Sequence, residues 1–183
     1  MTRIKCLWKL IALAAVAAAA LTGASTTRAA TVIPADYTLY LSAPGTGTVA
    51  GVAYADEDVL RYSPSASPKW AMHFDGSAAG LPAAADIDAY DYAYNANTFT
   101  SWHYMSFDQP VAVPGLGTVD DSDVVLYHTG LLGNTWSLFF DGSAYGLTTD
   151  GEDIDGLETS EDGTIYLSTA GAFAVPGFNN TVF

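Results

Sequence analysis

Pairs of aspartates separated by one residue are the side chains of this chain best suited to chemistry. Each pair places two carboxylates in or beside a stretch rich in turn-forming residues. Calcium takes about 6 to 8 oxygen ligands in a flexible geometry, so clustered carboxylates in turns suit this ion. The sequence therefore predicts calcium as a stabilising ligand, and the candidate ligands are Asp56, Asp58, Asp86, Asp88, Asp121, Asp123, Asp153 and Asp155.

The same carboxylates have two other interpretations. Aspartates form turns by accepting hydrogen bonds from their own backbone, and charges keep sheet edges soluble. Paired carboxylates also catalyse glycoside hydrolysis, which makes a carbohydrate-active hydrolase the alternative function. However, a catalytic pair is normally unique, whereas these pairs recur. Only Asp91 and Asp108 are notable acids without a counterpart elsewhere in the chain.

Other catalytic centres are not predicted. The chain has no Gly-x-Ser-x-Gly motif, and its single cysteine, Cys6, lies in the first ten residues. His73, His103 and His128 are scattered without the spacing of metal ligands. We therefore expect a protein that is not an enzyme.

Long blocks of the sequence occur twice. The block Trp70 to Leu81 reappears as Trp136 to Leu147, and a Tyr-Leu/Met-Ser triplet begins at Tyr40, Tyr104 and Tyr166. Self-similarity over such a long period indicates a supersecondary unit that stacks against its neighbours. We expect about two and a third units, at residues 37–85, 86–152 and 153–183.

The elements of each unit read as β-strands. Trp70, Met72 and Phe74 alternate with smaller or polar residues, as do Trp136, Leu138 and Phe140, which predicts strands with one buried face. Short apolar runs at 124–127 and 165–167 predict strands covered on both faces. One unit therefore contains four strands: Asp-Ile-Asp, Tyr-Leu-Ser, Asp-x-Asp-Val and Trp-x-Leu-x-Phe. The predicted class is all-β with antiparallel four-stranded units.

These units look like the blades of a β-propeller, and a β-sandwich is the alternative. The blocks Phe-Asp-Gly-Ser-Ala-x-Gly-Leu, Asp-Ile-Asp-Ala/Gly and Val-Pro-Gly resemble an uncharacterised family of secreted bacterial repeats. The resemblance covers most of residues 37–177. It implies a repeat architecture, and we expect an acid in that family where this chain has Ala78 and Ala144.

The first thirty residues have the layout of a secretory signal peptide. Three basic residues precede an apolar, alanine-rich run at 10–21, which is shorter than the roughly 20 residues that a membrane-spanning helix needs. Export to the periplasm, cell surface or medium is therefore expected, with no transmembrane anchor. Residues 31–183 then form a single domain that keeps all twenty acids and only two basic residues, a formal charge of −18. Such a surface repels phosphate backbones and excludes nucleic acid as a partner.

The ends of the chain also carry a prediction. A ring propeller has about 4 to 8 blades, so two and a third units cannot close one. Exposed edge strands invite pairing with another molecule. We therefore expect self-association through the terminal strands, and the alternative is that the ends fold back on one another.

Aromatic residues are concentrated between Tyr90 and Tyr104, where a projecting hairpin is predicted. Tyr94 and Trp102 are the candidate ligand-binding residues, because exposed rings stack on sugars or dock a protein partner. The alternative is that these rings complete the core. The sequence predicts an exported, non-catalytic binding or surface-structural module involved in adhesion, with a polysaccharide or a protein as its ligand.

Overall fold

The computed structural model describes residues 34–173, and the predicted signal peptide lies outside this range. Within the described part, the helical elements are two 3-10 helices of three residues each. The strands are β1 Leu39–Leu41, β2 Gly47–Val49, β3 Val52–Tyr54, β4 Val59–Tyr62, β5 Trp70–Phe74, β6 Ile87–Asn95, β7 Thr100–Phe107, β8 Val111–Val113, β9 Gly117–Val119, β10 Val124–Gly130, β11 Gly133–Phe140, β12 Ile154–Thr159 and β13 Ile165–Thr169. The predicted all-β, antiparallel class is confirmed.

The largest sheet is an antiparallel meander with the strand order β6-β7-β10-β11. We call it the middle sheet. Its strands carry the four blocks predicted for one unit, in the predicted order: Ile87 lies in β6, Tyr104 in β7, Val124 in β10 and Trp136 in β11.

Two smaller sheets flank the middle sheet. The first sheet has the order β1-β4-β5, and the last sheet pairs β12 with β13 around a turn at 160–164. Two short hairpins lie in the connections between strands: β2-β3 connects β1 to β4 in the first sheet, and β8-β9 connects β7 to β10 in the middle sheet. These hairpins were not predicted, because strands of three residues are too short to show a clear alternation.

Apolar side chains fill the spaces between neighbouring sheets. Phe107, Met105 and Val125 of the middle sheet are fully buried and pack with Val59 and Phe74 of the first sheet. A second cluster joins the middle sheet to the last sheet, and its buried members are Ala89, Val124, Ile154 and Leu157. Hydrophobic contact between sheet faces therefore holds the described part together.

Two predictions of buried faces are wrong. Leu138 was predicted to be buried, but it is exposed because β11 is the outer strand of the middle sheet. The strand at 165–167 was predicted to be covered on both faces, but Tyr166 is 59% exposed. Strand periodicity shows which residues share a face, whereas the presence of a covering sheet depends on the tertiary arrangement.

The strands give the molecule two different ends. The backbone N–H of Ile87 donates to Asp56, and that of Ile154 donates to Asp121, so β6 begins beside the turn before β4, and β12 beside the turn before β10. Because β6 and β10 are both antiparallel to β7, they run in the same direction. The aspartate-rich turns therefore share one end, and the hairpin tips at 63–69, 95–100, 130–133 and 160–164 share the other.

Candidate functional site

Asp58 lies in the turn before β4, and its buried carboxylate connects two backbone segments. One oxygen accepts a hydrogen bond from the N–H of Ala55 at 2.9 Å, and the other accepts one from the N–H of Gly76 at 3.0 Å. One oxygen therefore closes the turn that contains Asp58, and the other ties this turn to the Asp75-Gly76 turn that follows β5.

Asp123 makes the equivalent contacts in the middle sheet. Its two oxygens accept hydrogen bonds from the N–H of Asp120 at 2.9 Å and from the N–H of Gly142 at 3.0 Å. Of the eight predicted calcium ligands, Asp58 and Asp123 thus act as acceptors for backbone N–H groups. Buried backbone donors need such partners, and carboxylates are strong acceptors for them.

The Asp-Gly-Ser turns contain a second carboxylate contact. Asp75 accepts hydrogen bonds from the Ser77 hydroxyl at 2.9 Å and the Ala78 N–H at 2.8 Å. Asp141 accepts the corresponding bonds from Ser143 and Ala144, and these bonds lower the pKa of its carboxyl. The serine hydroxyls therefore donate within the turns that contain them, as is usual for turn residues.

A carboxylate cluster remains at the junction between β10 and β12. The pKa of Asp121 is raised to about 6, first by burial and then by the neighbouring carboxylates of Asp120 and Asp153. Asp121 and Asp153 are two of the predicted calcium ligands. This is the place where the fold brings predicted ligands of two different pairs close together.

The other predicted ligands occupy different surroundings. The backbone bond between Ile87 and Asp56 places Asp56 beside the segment that contains Asp86. Asp88 is buried on β6, and Asp155 accepts a hydrogen bond from the Ser168 hydroxyl at 2.8 Å. Within residues 34–173, no group of three or more His, Cys, Asp or Glu side chains has an arrangement suited to a metal ion.

Asp91, which the sequence singled out as an acid without a counterpart, has a structural contact. Its buried carboxylate accepts hydrogen bonds from the N–H of Thr159 at 2.7 Å and from the Thr159 hydroxyl at 2.6 Å. These bonds tie β6 to β12. Asp108, the second such acid, is exposed in the loop after β7.

The two predicted ligand-binding aromatic residues do not form one surface. Tyr94 lies opposite Ser101 on β7, whereas Trp102 lies opposite Ala93 on β6. Since neighbours along a strand point to opposite faces, Tyr94 and Trp102 lie on opposite faces of the middle sheet. Trp102 is half-buried and packs against His128 with ring centroids 5.4 Å apart, while Tyr94 is 45% exposed.

Exposed apolar residues meet instead at the hairpin tips of the middle sheet. Thr129 of β10 pairs with Ser101 of β7, so the tip of the β10-β11 hairpin lies beside the tip of the β6-β7 hairpin. The exposed fractions are 69% for Phe99, 87% for Leu131 and 106% for Leu132. We call this surface, formed by residues 94–100 and 130–134, the neutral end.

The neutral end is free of charge in an otherwise acidic protein. Residues 92–107 and 124–140 contain no Asp, Glu, Lys or Arg. Sequence reasoning missed Phe99, Leu131 and Leu132 as candidates. The signal that could have found them was the pair of charge-free stretches, each of which crosses a hairpin tip.

Phe99 also has an unfavourable backbone conformation. Its φ is 53°, in the left-handed region that favours glycine and asparagine over aromatic residues. A strained, exposed residue in a loop is a reason to suspect a function, because packing does not require it there.

Two histidines lie in an aromatic cluster between the first and middle sheets. Burial lowers the pKa of His73 to about 3 and that of His103 to about 4, so both are neutral near pH 7. The Tyr90 hydroxyl is 2.6 Å from Nδ1 of His103, and the Ser101 hydroxyl is 2.9 Å from Nε2. Nε2 of His73 is buried with no hydrogen-bond partner among the described residues.

Comparisons with protein-family models, with curated proteins and with solved structures gave no match to this chain. Among residues 34–173, no helix has the length and apolar character needed to cross a membrane.

Proposed function

We propose that this chain is an exported, non-catalytic binding module that holds an uncharged polysaccharide at its neutral end. The observation that carries the proposal is the concentration of exposed apolar side chains on the charge-free hairpin tips of the middle sheet, with Phe99 in a strained conformation. Export rests on the layout of the first thirty residues.

The roles of the carboxylates support a binding function over catalysis. Asp58, Asp75, Asp123 and Asp141 each accept hydrogen bonds from the backbone, so these acids maintain turns. A general acid or a nucleophile has to reach a substrate, and a carboxylate whose oxygens are held by backbone N–H groups, as in the buried Asp58 and Asp123, is poorly placed to do so.

The chemistry of the neutral end suits a neutral sugar polymer. The Tyr94 and Phe99 rings provide apolar surfaces on which sugar rings stack, and Asn97 and Thr98 between them supply neutral hydrogen-bonding groups. The rest of the acidic surface repels anionic polymers, which favours uncharged ones.

Retention on insoluble neutral polysaccharides such as cellulose and chitin tests the proposal. We expect the full chain to be retained, and Phe99→Ala with Tyr94→Ala to reduce retention at least about tenfold without lowering the melting temperature. Ala83→Ser, in an exposed loop at the opposite end, is the control. Retention that is unchanged in the double variant contradicts the proposal.

Substitution of Leu131 and Leu132 distinguishes between the two predicted classes of ligand, a polysaccharide and a protein. A protein groove would take up these leucines, whereas sugar stacking depends on the rings. Leu131→Ser with Leu132→Ser is therefore expected to leave retention on polysaccharide within about twofold of the wild-type value. A large loss in this variant would show that the leucines also contact the polysaccharide, and a wild-type chain that no polysaccharide retains would favour a protein ligand.

The carboxylate cluster around Asp121 favours a second candidate, a carbohydrate-active hydrolase. A carboxyl group with a raised pKa beside another carboxylate is the arrangement that glycoside hydrolysis uses. Release of soluble sugars during the retention experiment, abolished by Asp121→Asn, would establish this candidate. Retention without release favours the binding module.

A further inference from the structure

The first sheet has two chemically different faces. Tyr40 lies opposite Arg61, and His73 shares their face. The rings of Tyr40 and His73 lie 5.4 and 4.4 Å from the ring of Tyr92, so this face packs against the middle sheet. The opposite face, which we call the outer face, consists of Leu39, Leu41, Leu60, Tyr62, Trp70 and Met72.

The outer face is apolar and only partly covered within the described part of the chain. The β2-β3 hairpin borders it and forms a shallow cleft with it, lined in part by Leu41, Val49, Tyr54 and Trp70. Leu41 is 39% exposed, and the rings of Tyr62 and Trp70 are in contact, with centroids 4.9 Å apart and a tilt of 52° between their planes. A sheet face of this composition normally packs against another sheet.

Three tyrosines indicate which kind of surface packs on the outer face. Tyr40, Tyr104 and Tyr166 occupy corresponding positions in the three sheets. Tyr40 packs against Tyr92 of the next sheet, and Tyr104 packs against the cluster that contains Ile154 and Leu157 of the last sheet. Tyr166 lies on the equivalent face of the last sheet but is exposed to solvent.

The charges of the two outermost sheets are complementary. Arg61 and Lys69 are the only Lys or Arg residues in the described part; Arg61 lies on the face toward the middle sheet, whereas Lys69 lies at the hairpin tip of the first sheet. The last sheet carries Glu158 opposite Tyr166, and Glu161 at its tip. The tips that hold Lys69 and Glu161 lie at the same end of the molecule.

From the apolar outer face, the exposed Tyr166 and these opposite charges, we infer that the chain assembles head to tail. The last sheet of one copy packs on the outer face of the first sheet of a second copy, with Tyr166 against the face around Leu41 and Trp70. Lys69 of one copy then approaches Glu158 and Glu161 of the other. This contact repeats the packing between neighbouring sheets within a single chain.

Such an interface joins two different surfaces, so it repeats from copy to copy. A head-to-tail contact of this kind gives a closed ring if the rotation closes and a filament if it does not. The assembly uses the outermost sheets and leaves the neutral end of each middle sheet accessible. It is therefore independent of the proposed polysaccharide binding.

A charge exchange tests the interface. The wild-type full chain is expected to increase in mass with concentration in light scattering coupled to size-exclusion chromatography. Lys69→Glu alone and Glu158→Lys with Glu161→Lys alone each bring like charges together, and each is expected to weaken association by about tenfold or more. An equimolar mixture of these two variants restores opposite charges at every contact, so association is expected to return.

Controls separate this contact from other causes of association. Ala83→Glu with Ala112→Glu changes the net charge as much as Lys69→Glu does, at exposed positions away from both sheets, and is expected to associate like the wild type. Phe99→Ala with Tyr94→Ala is also expected to associate normally, even where it no longer binds polysaccharide. A chain that is monomeric at all concentrations overturns the inference. It is also overturned if the mixture fails to associate, as it would if residues 174–183 covered the outer face.

Discussion

The carboxylate of Asp58 and the backbone N–H of Gly76 form a buried hydrogen bond of 3.0 Å between residues that are 18 positions apart. It joins the turn before β4 to the turn after β5, so the open end of the β4-β5 hairpin is fixed. The bond between Asp123 and Gly142 has the same length and the same place in the middle sheet. The carboxylates therefore have an architectural role that can be tested by substitution.

Asp58→Asn keeps the shape of the side chain but replaces one acceptor oxygen with an NH₂ group. One of the two N–H groups then faces a donor, and a buried donor without an acceptor costs about 1–3 kcal/mol. We expect the free energy of unfolding, measured by urea denaturation, to fall by about 2 kcal/mol for Asp58→Asn and similarly for Asp123→Asn. Because the two turns are separate, the double variant is expected to be roughly additive.

Asp36→Asn is the control for this prediction, since Asp36 is exposed before β1. Its effect is expected to stay within about 0.5 kcal/mol. An equally small effect for Asp58→Asn would contradict the architectural role.

Gly76 and Gly142 are required for close approach of the backbone. A Cβ atom at Gly76 would clash with the carbonyl oxygen of Glu57, and one at Gly142 with the carbonyl oxygen of Ser122. Since backbone atoms cannot move aside easily, Gly76→Ala and Gly142→Ala are each expected to destabilise the fold by about 3 kcal/mol or more. Thermal unfolding followed by circular dichroism measures this effect.

Gly45→Asn is the matched control for the glycine substitutions. Gly45 has a φ of 77°, and an added Cβ would meet no atom within 4 Å. Asparagine tolerates the left-handed region, so a loss of less than about 1 kcal/mol is expected. Similar losses at Gly45 and Gly76 would contradict the role of close approach, because Gly45 is the one of the two with a left-handed backbone and open space around it.

The buried histidines predict a loss of stability in acid. The pKa of His73 is lowered to about 3 and that of His103 to about 4, whereas an ordinary histidine has 6.5. The unfolded chain therefore takes up protons below pH 6.5 that the folded chain does not. The histidine contribution to stability is full above pH 6.5 and is lost as the pH falls toward 3 or 4. Each histidine adds about 1.4 kcal/mol per pH unit to the slope in this range.

His73→Phe is expected to remove the contribution of one histidine to the pH dependence of the free energy of unfolding. Phenylalanine occupies the corresponding position, Phe139, in the second block, and the substitution also removes the unpaired Nε2 of His73. The groups around His73 are Arg61, His103 and the tyrosines Tyr40, Tyr90 and Tyr92. Asp121 acts in the opposite direction, because its raised pKa favours the folded state as the pH falls below about 6.

Urea denaturation at several values between pH 4 and pH 7 measures this slope. His128→Phe serves as the control, because His128 lies on the other face of the middle sheet, against Trp102. An unchanged slope in His73→Phe would mean that this histidine is not buried in its neutral form.

Calcium is expected to raise the melting temperature at millimolar concentration. The carboxylates of Asp120 and Asp153 raise the pKa of Asp121. These three side chains do not form a preformed metal site, but a divalent cation near them would relieve their repulsion. Sodium chloride at the same ionic strength controls for general screening of the acidic surface. Asp121→Asn is expected to reduce the calcium effect, and a melting temperature that does not respond to chelator would contradict the prediction.

Phe99→Gly is expected to stabilise the fold while weakening binding. Glycine adopts the left-handed conformation at φ 53° without strain, whereas phenylalanine there costs about 1 kcal/mol. We expect the free energy of unfolding to rise by up to about 1 kcal/mol and polysaccharide retention to fall. A loss of stability in Phe99→Gly would show that the ring belongs to the core.

The sequence was sufficient for the local elements. The alternation through Trp70, Met72 and Phe74 located β5, and the Asp-Gly-Ser blocks located turns whose hydrogen bonds form within four residues. These features are local, because backbone geometry and nearby side chains determine them. The four strands of the middle sheet and their order followed from the same patterns.

Only the tertiary structure decided what the candidate residues do. The donor to Asp58 lies 18 residues away, and Thr159 lies 68 residues from Asp91, so no local pattern shows these contacts. The pairing of β7 with β10 brings Phe99 and Leu131 to one end, while strand alternation separates Tyr94 from Trp102. Sequence patterns record local hydrogen bonding and burial, but the role of a carboxylate or a ring depends on which distant segment packs against it.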